Sequence, residues 1–195
     1  MLKTRIAVLV SGGGTNLQAL IDAQNSGLIK SGEIVLVVSN RAEVYALNRA
    51  EKHGINNIVT NDEDELIQIL KKEKIELIVL AGYLNILGLP FIKAFEDRII
   101  NVHPSLIPSF CGKGCYGLRV HEKALEYGVK VTGATVHYVN EIPDGGKIIA
   151  QKAVEIKEDD TAERLQKRVM EEAEWIILPN AVEAIAEKIL KGENQ

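Results

Sequence analysis

The chain has 195 residues, 46% of them hydrophobic, and a formal net charge of −4. That length suits one domain or a tightly fused pair around a substantial core, and no apolar run approaches the about 20 residues of a membrane span. The acidic balance argues against a general nucleic-acid binder, and two cysteines, Cys111 and Cys115, make no disulfide framework, which fits a reducing, cytoplasmic setting.

Residues 1–5 lead straight into Ile6-Ala7-Val8-Leu9-Val10, and this continuous apolar run predicts a strand over 3–10 buried on both faces. A glycine-rich turn follows where a signal peptide would need a small-residue cleavage site, so no export signal is expected. Ser11-Gly12-Gly13-Gly14-Thr15-Asn16 then opens a helix with Leu17, Leu20 and Ile21 inward. A second buried strand is expected over 34–39, a helix over 44–53 and a short strand over 55–59. The acid-rich start of 62–72 suits an amphipathic helix with Leu66, Ile69 and Leu70 facing the core. Strand 75–81, a short helix at 90–95 and strand 99–102 complete a run of alternating elements. Such alternation implies right-handed βαβ units: an α/β fold with a doubly wound, mostly parallel sheet and helices on both faces.

The rhythm then changes. A helix over 116–127 is followed by an alternating strand over 131–139 and another over 147–154, which together read as a β-rich extension at one sheet edge. Amphipathic helices over 161–177 and 181–190 close the chain, with a break expected at Leu178-Pro179-Asn180. No repeat or linker interrupts residues 1–195. They read as a single domain, with an N-terminal half to about residue 100 and a C-terminal half from about 101.

Three stretches carry chemistry. The glycine turn sits between a strand and a helix, where unpaired backbone N–H groups and the helix dipole favour an anion. Leu17 stands where a dinucleotide fingerprint wants Gly or Ala, no acid closes the second strand, and no Gly-Lys-Ser/Thr follows. A terminal phosphate held by backbone N–H groups, the Thr15 hydroxyl and the Asn16 amide fits better, although Arg41 leaves NADP open as a rival. The second stretch is Ile100-Asn101-Val102-His103-Pro104-Ser105-Leu106-Ile107-Pro108. Asn101 and His103 are two apart, so an extended segment points both to one side at the carboxyl end of a strand, where open α/β sheets place their chemistry. The third is Asp144 in Ile142-Pro143-Asp144-Gly145-Gly146; if that turn folds back beside His103, its carboxylate orients the imidazole. Sequence spacing alone does not bring the two together.

Taken in order, Ser11-Gly12-Gly13-Gly14-Thr15-Asn16-Leu17-Gln18-Ala19, Ala81-Gly82-Tyr83-Leu84, the Asn101–His103 stretch and Asp144-Gly145-Gly146 resemble the phosphoribosylglycinamide formyltransferase family over nearly the whole chain. Asn-x-His-Pro-Ser-Leu is shared with related formyltransferases acting on methionyl-tRNA, nucleotide sugars or formyltetrahydrofolate itself. The glycine turn ending in Thr15-Asn16 points to the glycinamide ribonucleotide branch, as does the lack of an appended tRNA-binding or regulatory domain. The resemblance implies formyl transfer from 10-formyltetrahydrofolate, as cosubstrate, to the amine of 5′-phosphoribosylglycinamide in purine biosynthesis, by a monomer or homodimer without metal. It implies catalytic roles for Asn101, His103 and Asp144, and substrate binding by Gly14, Thr15, Asn16 and Glu174. It also implies that Leu84, Asn85, Ile86, Leu87, Val139, Asn140 and Glu141 border the folate. Formyltetrahydrofolate hydrolysis by the same three residues is the rival reaction, and a non-catalytic nucleotide-phosphate binder is the rival from another class.

Three features depart from the family pattern: Asn85 where Arg is frequent, Arg119 where His is often found, and a longer loop over 110–117 with three glycines and no Pro-Gly turn, able to act as a lid. A single pair, Cys111 and Cys115, falls short of the two pairs usual in zinc sites, so no metal is expected. His53 and His121 read as surface or supporting groups. His137 shares a strand face with Thr135 and is a candidate to line the pocket, and Trp175 reads as core or a subunit contact.

Overall fold

The strand at the centre explains the two layers around it. In the computed structural model, which describes residues 2–193, β1 (Thr4–Val10) has Ile6, Val8 and Val10 in one hydrophobic cluster and Ala7 and Leu9 in the other. Alternate side chains of a strand leave opposite faces of the sheet, so an uninterrupted apolar run can be satisfied only by helices on both sides. On one face lie α1 (Thr15–Asn25), α2 (Tyr45–Lys52), α6 (Ala162–Val169) and α7 (Trp175–Lys191). On the other lie α3 (Glu63–Lys72) and the short α4 (Leu89–Ala94). The Asp62 side chain accepts from the N–H groups of Asp64 and Glu65, which fixes the start of α3.

β2 (Gly32–Ser39), β3 (Asn56–Val59), β4 (Leu77–Leu80) and β5 (Ile99–His103) join β1 in parallel, and β6 (Val131–Tyr138) and β7 (Ile148–Glu155) extend the sheet by antiparallel pairing. The order is β3-β2-β1-β4-β5-β6-β7, so the winding reverses between β1 and β4. The loops leaving the carboxyl ends of β1 and β4 part there and open a crevice, the general binding place in such sheets. Helix α5 (Leu118–Tyr127) follows the long loop after β5.

Two expectations are corrected. On α3 the buried side chains are Leu66, Ile67 and Leu70, with Ile69 only half-buried, because the helix meets α4 as well as the sheet. On β6 the side chains alternate between faces as expected, and both are covered: Ala134 and Val136 lie in the core, Thr135 and His137 on the opposite, polar face, all buried. The closing helices are not broken at Pro179. The irregularity comes earlier, as a π-helical turn over Met170–Glu174, and Pro179 lies inside α7. That wider turn loosens the ladder just before the proline, whose ring would otherwise crowd the carbonyl four residues back. Among the described residues, no helix is long and apolar enough to cross a membrane.

Candidate functional site

Asn101 and His103 stand at the carboxyl end of β5, directly beside β4. Their cross-strand neighbours on β6 are His137 and Thr135 respectively, so the antiparallel return delivers a second imidazole to the same place. Beyond β6, residues 142–145 close a turn in which the Gly145 N–H donates to Ile142 O (2.9 Å). A Cβ on Gly146 would fall 1.7 Å from Tyr138 O, so only glycine lets this segment lie so close to the end of β6. The turn thereby swings Asp144 over β5. Its Oδ2 is 3.6 Å from His103 Nδ1 and its Oδ1 is 3.7 Å from His137 Nε2.

The polar groups here form one connected set. The Gly112 N–H donates to Asp144 Oδ2 (2.8 Å), and His103 Nε2 lies 2.9 Å from Phe110 O. His137 Nδ1 lies 2.7 Å from Tyr138 O; a carbonyl only accepts, so that nitrogen carries the hydrogen. His137 Nε2 lies 3.2 Å from Asn101 Nδ2 and faces Asp144 Oδ1, and the Asn101 amide keeps an N–H for the cleft. Burial pushes the Asp144 carboxyl up, but the hydrogen bond with His137, the charge of His103 and the Gly112 N–H outweigh it and hold Asp144 below its usual range. His121, expected at the surface or in support, is fully buried on α5 with neither ring nitrogen partnered. Burial first, and the charge of nearby His103 second, bring its pKa down to about 4, so it stays neutral.

This set forms the floor of a cleft of about 320 Å³. Every residue that the sequence assigned to the folate side borders it: Leu84, Asn85, Ile86 and Leu87 after β4, and Val139, Asn140 and Glu141 after β6. Ile86 and Leu84 are exposed at its rim and form an apolar lip. Asn85 is engaged in an amide chain, accepting from Asn40 Nδ2 (2.7 Å) and donating to Asn61 Oδ1 (3.4 Å). The cleft draws on both halves of the chain.

The glycine turn lies two strands away, about 10 Å at ordinary strand spacing. Gly14 is the N-cap of α1 in left-handed conformation (φ 70°), and no side chain caps the helix, so its first N–H groups face outward unpaired. Arg49 Nε donates to Gly13 O (2.8 Å), and its Nη1 donates to Gln18 Oε1 (2.9 Å). Arg49 is therefore a cation at the turn. Sequence reading missed Arg49; it lies on α2 and reaches the turn only because Ala46 N–H donates to Gly12 O and docks that helix against it. Thr15 Oγ1 donates to Met170 Sδ (3.6 Å). Asn16 Nδ2 donates to Glu174 Oε2 (2.6 Å), while Asn16 Oδ1 is buried without a partner. Glu174, carried by the π-helical turn, is 6% exposed; its burial raises the pKa to about 7 against the opposing Asn16 hydrogen bond. Trp175 borders a second depression with Thr15, Gln18 and Arg49.

A side chain at position 14 would meet two obstacles at once. The Cβ of Gly14→Ala would stand 2.7 Å from Ala46 Cβ and 2.9 Å from Ala46 Cα, in a backbone region that costs an L-residue about 1–2 kcal/mol. Urea unfolding should show a loss of at least that size, together with weaker binding of inorganic phosphate by calorimetry. Unchanged stability and phosphate binding would refute the turn geometry.

The description "Formyl transferase" belongs to the family model that matches residues 4–182. Phosphoribosylglycinamide formyltransferase of Haemophilus influenzae is 40% identical over 196 residues, covering 96% of this chain and 89% of that protein. The trifunctional purine biosynthetic protein adenosine-3 of Gallus gallus is 45% identical over 193 residues, 94% of this chain but only 18% of that longer protein. In structure, glycinamide ribonucleotide transformylase 1 of Symbiobacterium toebii superposes with a TM-score of 0.88 at 40% identity, covering 95% and 88% of the two chains. A formyltetrahydrofolate deformylase of Pseudomonas syringae shares the fold (TM-score 0.85) at 27% identity, and 62% of its length is covered. With its sheet, its cleft and these likenesses in agreement, the chain belongs to the formyl transferase family, as a member of the phosphoribosylglycinamide formyltransferases.

Proposed function

We propose that the cleft carries the formyl group of 10-formyltetrahydrofolate to the primary amine of 5′-phosphoribosylglycinamide. The observation that carries the reading is the meeting of Asn101, His103 and Asp144 at one end of the sheet, with an uncapped helix start two strands away. The pteridine lies along Leu84–Leu87 and Val139–Glu141. Gly14, Thr15 and Asn16 take the phosphate, and Arg49 adds a positive charge beside them. The distance between the two sites then suits a substrate with phosphate at one end and amine at the other.

Attack of the amine nitrogen on the formyl carbon forms a C–N bond and puts negative charge on the formyl oxygen. The free N–H of Asn101, and the Nε2–H of His103 once the substrate takes the place of Phe110 O, stabilise that charge, one such donor being worth about 2.7–4 kcal/mol. Asp144 faces His103 Nδ1 and orients the ring from that side. One proton leaves the attacking nitrogen through water held at Asp144. Another reaches N10 of the folate as the C–N10 bond breaks. No covalent intermediate with the protein is required.

His103→Asn is expected to lower kcat by about 10²–10³-fold while leaving binding of the phosphate-bearing substrate within a few-fold, as loss of one oxyanion donor does. Absorbance of the deformylated folate gives the rate and calorimetry gives the binding; equal damage to both would remove His103 from its role. The same assay without the amine separates transfer from hydrolysis, and no folate turnover in either case would mean a binding protein only.

Glu174 gives a second test. Its carboxyl ionises near pH 7 in the free protein and near 4.5 in an unfolded chain. The raised value means that its contribution to stability is present below about pH 4.5 and is lost as pH rises through 7. A substrate hydroxyl or ammonium donating to the carboxylate favours the ionised form, so KM for 5′-phosphoribosylglycinamide should fall between pH 6 and 8. In Glu174→Gln that part of the pH dependence should vanish and KM should rise by about tenfold, the value of a hydrogen bond to a charged group. A pH profile unchanged by the substitution would exclude contact with the substrate.

A further inference from the structure

The loop between β5 and α5 holds chemistry that formyl transfer does not use. Cys111 and Cys115, the chain's two cysteines, are free and partly exposed. The Cys115 N–H donates to Gly112 O (3.0 Å), closing a four-residue turn over 112–115 with Gly114 at φ 80°, as the third position of a type II turn requires. Cys115 is the last residue of that turn and Cys111 the residue just before it. The turn brings the Cα atoms of Gly112 and Cys115 within about 7 Å, and Cys111 is near enough to Cys115 for that group to push its thiol up.

The two sulfurs are not equivalent. Lys123 Nζ donates to Cys115 Sγ (3.1 Å) and to Gly114 O (3.3 Å), so a cation faces the Cys115 sulfur. Cys111 Sγ donates instead to Pro108 O (3.2 Å), and burial, then Asp144 and Cys115, push its thiol up. Cys111 also sits between the two backbone groups that the loop lends to the cleft: Phe110 O against His103 and Gly112 N–H against Asp144.

We propose that Cys111 and Cys115 are a reversible dithiol–disulfide site for low-molecular-weight disulfides, and that closing the ring withdraws the loop's hold on Asp144 and His103 and slows transfer. The Cys115 thiolate attacks one sulfur of R–S–S–R; a Cys115–S–R bond forms and the first thiolate leaves. Cys111 then attacks Cys115 Sγ, the ring disulfide forms, and the second thiolate departs with the Cys111 proton. The two cysteines give up two electrons and the small disulfide accepts them. A disulfide holds its two Cβ atoms at about 3.8 Å, and the ring it closes contains Gly112, whose amide then turns away from Asp144.

The reduced full-length protein is treated with oxidised glutathione. Mass spectrometry should show loss of the mass of two hydrogens, with both thiols blocked to alkylation. The Gly112 amide should exchange faster, and the transfer rate should fall by about tenfold or more, as small misplacements around reacting groups do. Dithiothreitol should reverse all of these changes. Cys115→Ser should keep the reduced rate and ignore the oxidant, and Cys111→Ser should stop at a mixed disulfide on Cys115. A mixed disulfide that never resolves in the parent protein would overturn the proposal. So would a closed ring with unchanged Gly112 exchange, or with a rate close to that of the reduced protein. The effect on rate rests on the formyl-transfer reading, whereas ring closure and amide exchange do not; no transfer by the reduced protein would count against that reading alone.

Discussion

The cleft depends on one half-buried carboxylate that is kept charged. Burial works against the charged form of Asp144, and a protonated acid could no longer act as a pure acceptor toward His103. Two imidazoles and the Gly112 N–H reverse the balance. Their effects are interlocked: His137 supports Asp144 and also fixes the Asn101 amide, while Gly112 supports Asp144 from the same loop whose Phe110 carbonyl faces His103. Loss of any one contact shifts the charge balance for the rest, so these residues act as an electrostatic unit rather than as separate contributors.

Sheet topology makes that unit possible. Parallel β4 and β5 bring the Gly82–Leu87 segment and Asn101 to the same end of the sheet, which supplies the apolar wall and one donor. A further parallel crossover would have carried the chain away behind a helix. The antiparallel return of β6 instead pairs Asn101 with His137 and His103 with Thr135, and the turn beyond it falls back over β5. Thr135 Oγ1 in turn donates to Ser105 O (2.7 Å) and accepts from the Ile107 N–H (3.1 Å), which ties down the proline-bounded chain after His103. The change of strand direction at β6 thus gathers Asn101, His103, His137 and Asp144 at one end of the crevice.

What was legible in the sequence follows the range of the interactions. The buried strands, the glycine turn and the common side of Asn101 and His103 are set by neighbours within a few residues, and period and turn chemistry reveal them. The Asp144 pairing was only an expectation, because 41 residues of folded chain must bring it back; its own local signal was a turn. His137 showed its face but not its partner. Arg49 and the buried state of His121 were hidden, since each depends on how one helix docks: α2 on the glycine turn, α5 beneath the long loop. The misplaced break at Pro179 has the same origin. Proline is the strongest local signal for ending a helix, yet the packed chain puts its irregularity five residues earlier, where Glu174 must reach Asn16.

That last displacement shows where the fold accepts strain. A regular α-helix through 170–174 would rotate Glu174 differently about the axis, and the extra residue of a π turn resets its direction toward α1. The outcome is costly in isolation: a carboxyl raised to about pH 7 and an Asn16 oxygen with no donor, both under the sheet's carboxyl end. The core beside them, with Ile6 through Val10 fully buried, is stable enough to carry such defects. Under the proposed function these defects are complementary to the substrate: a donor from its sugar or amine would satisfy Asn16 and Glu174 together. Binding energy would then come from removing a penalty built into the free protein as well as from new contacts, and specificity would follow, since a ligand lacking those donors leaves the penalty in place.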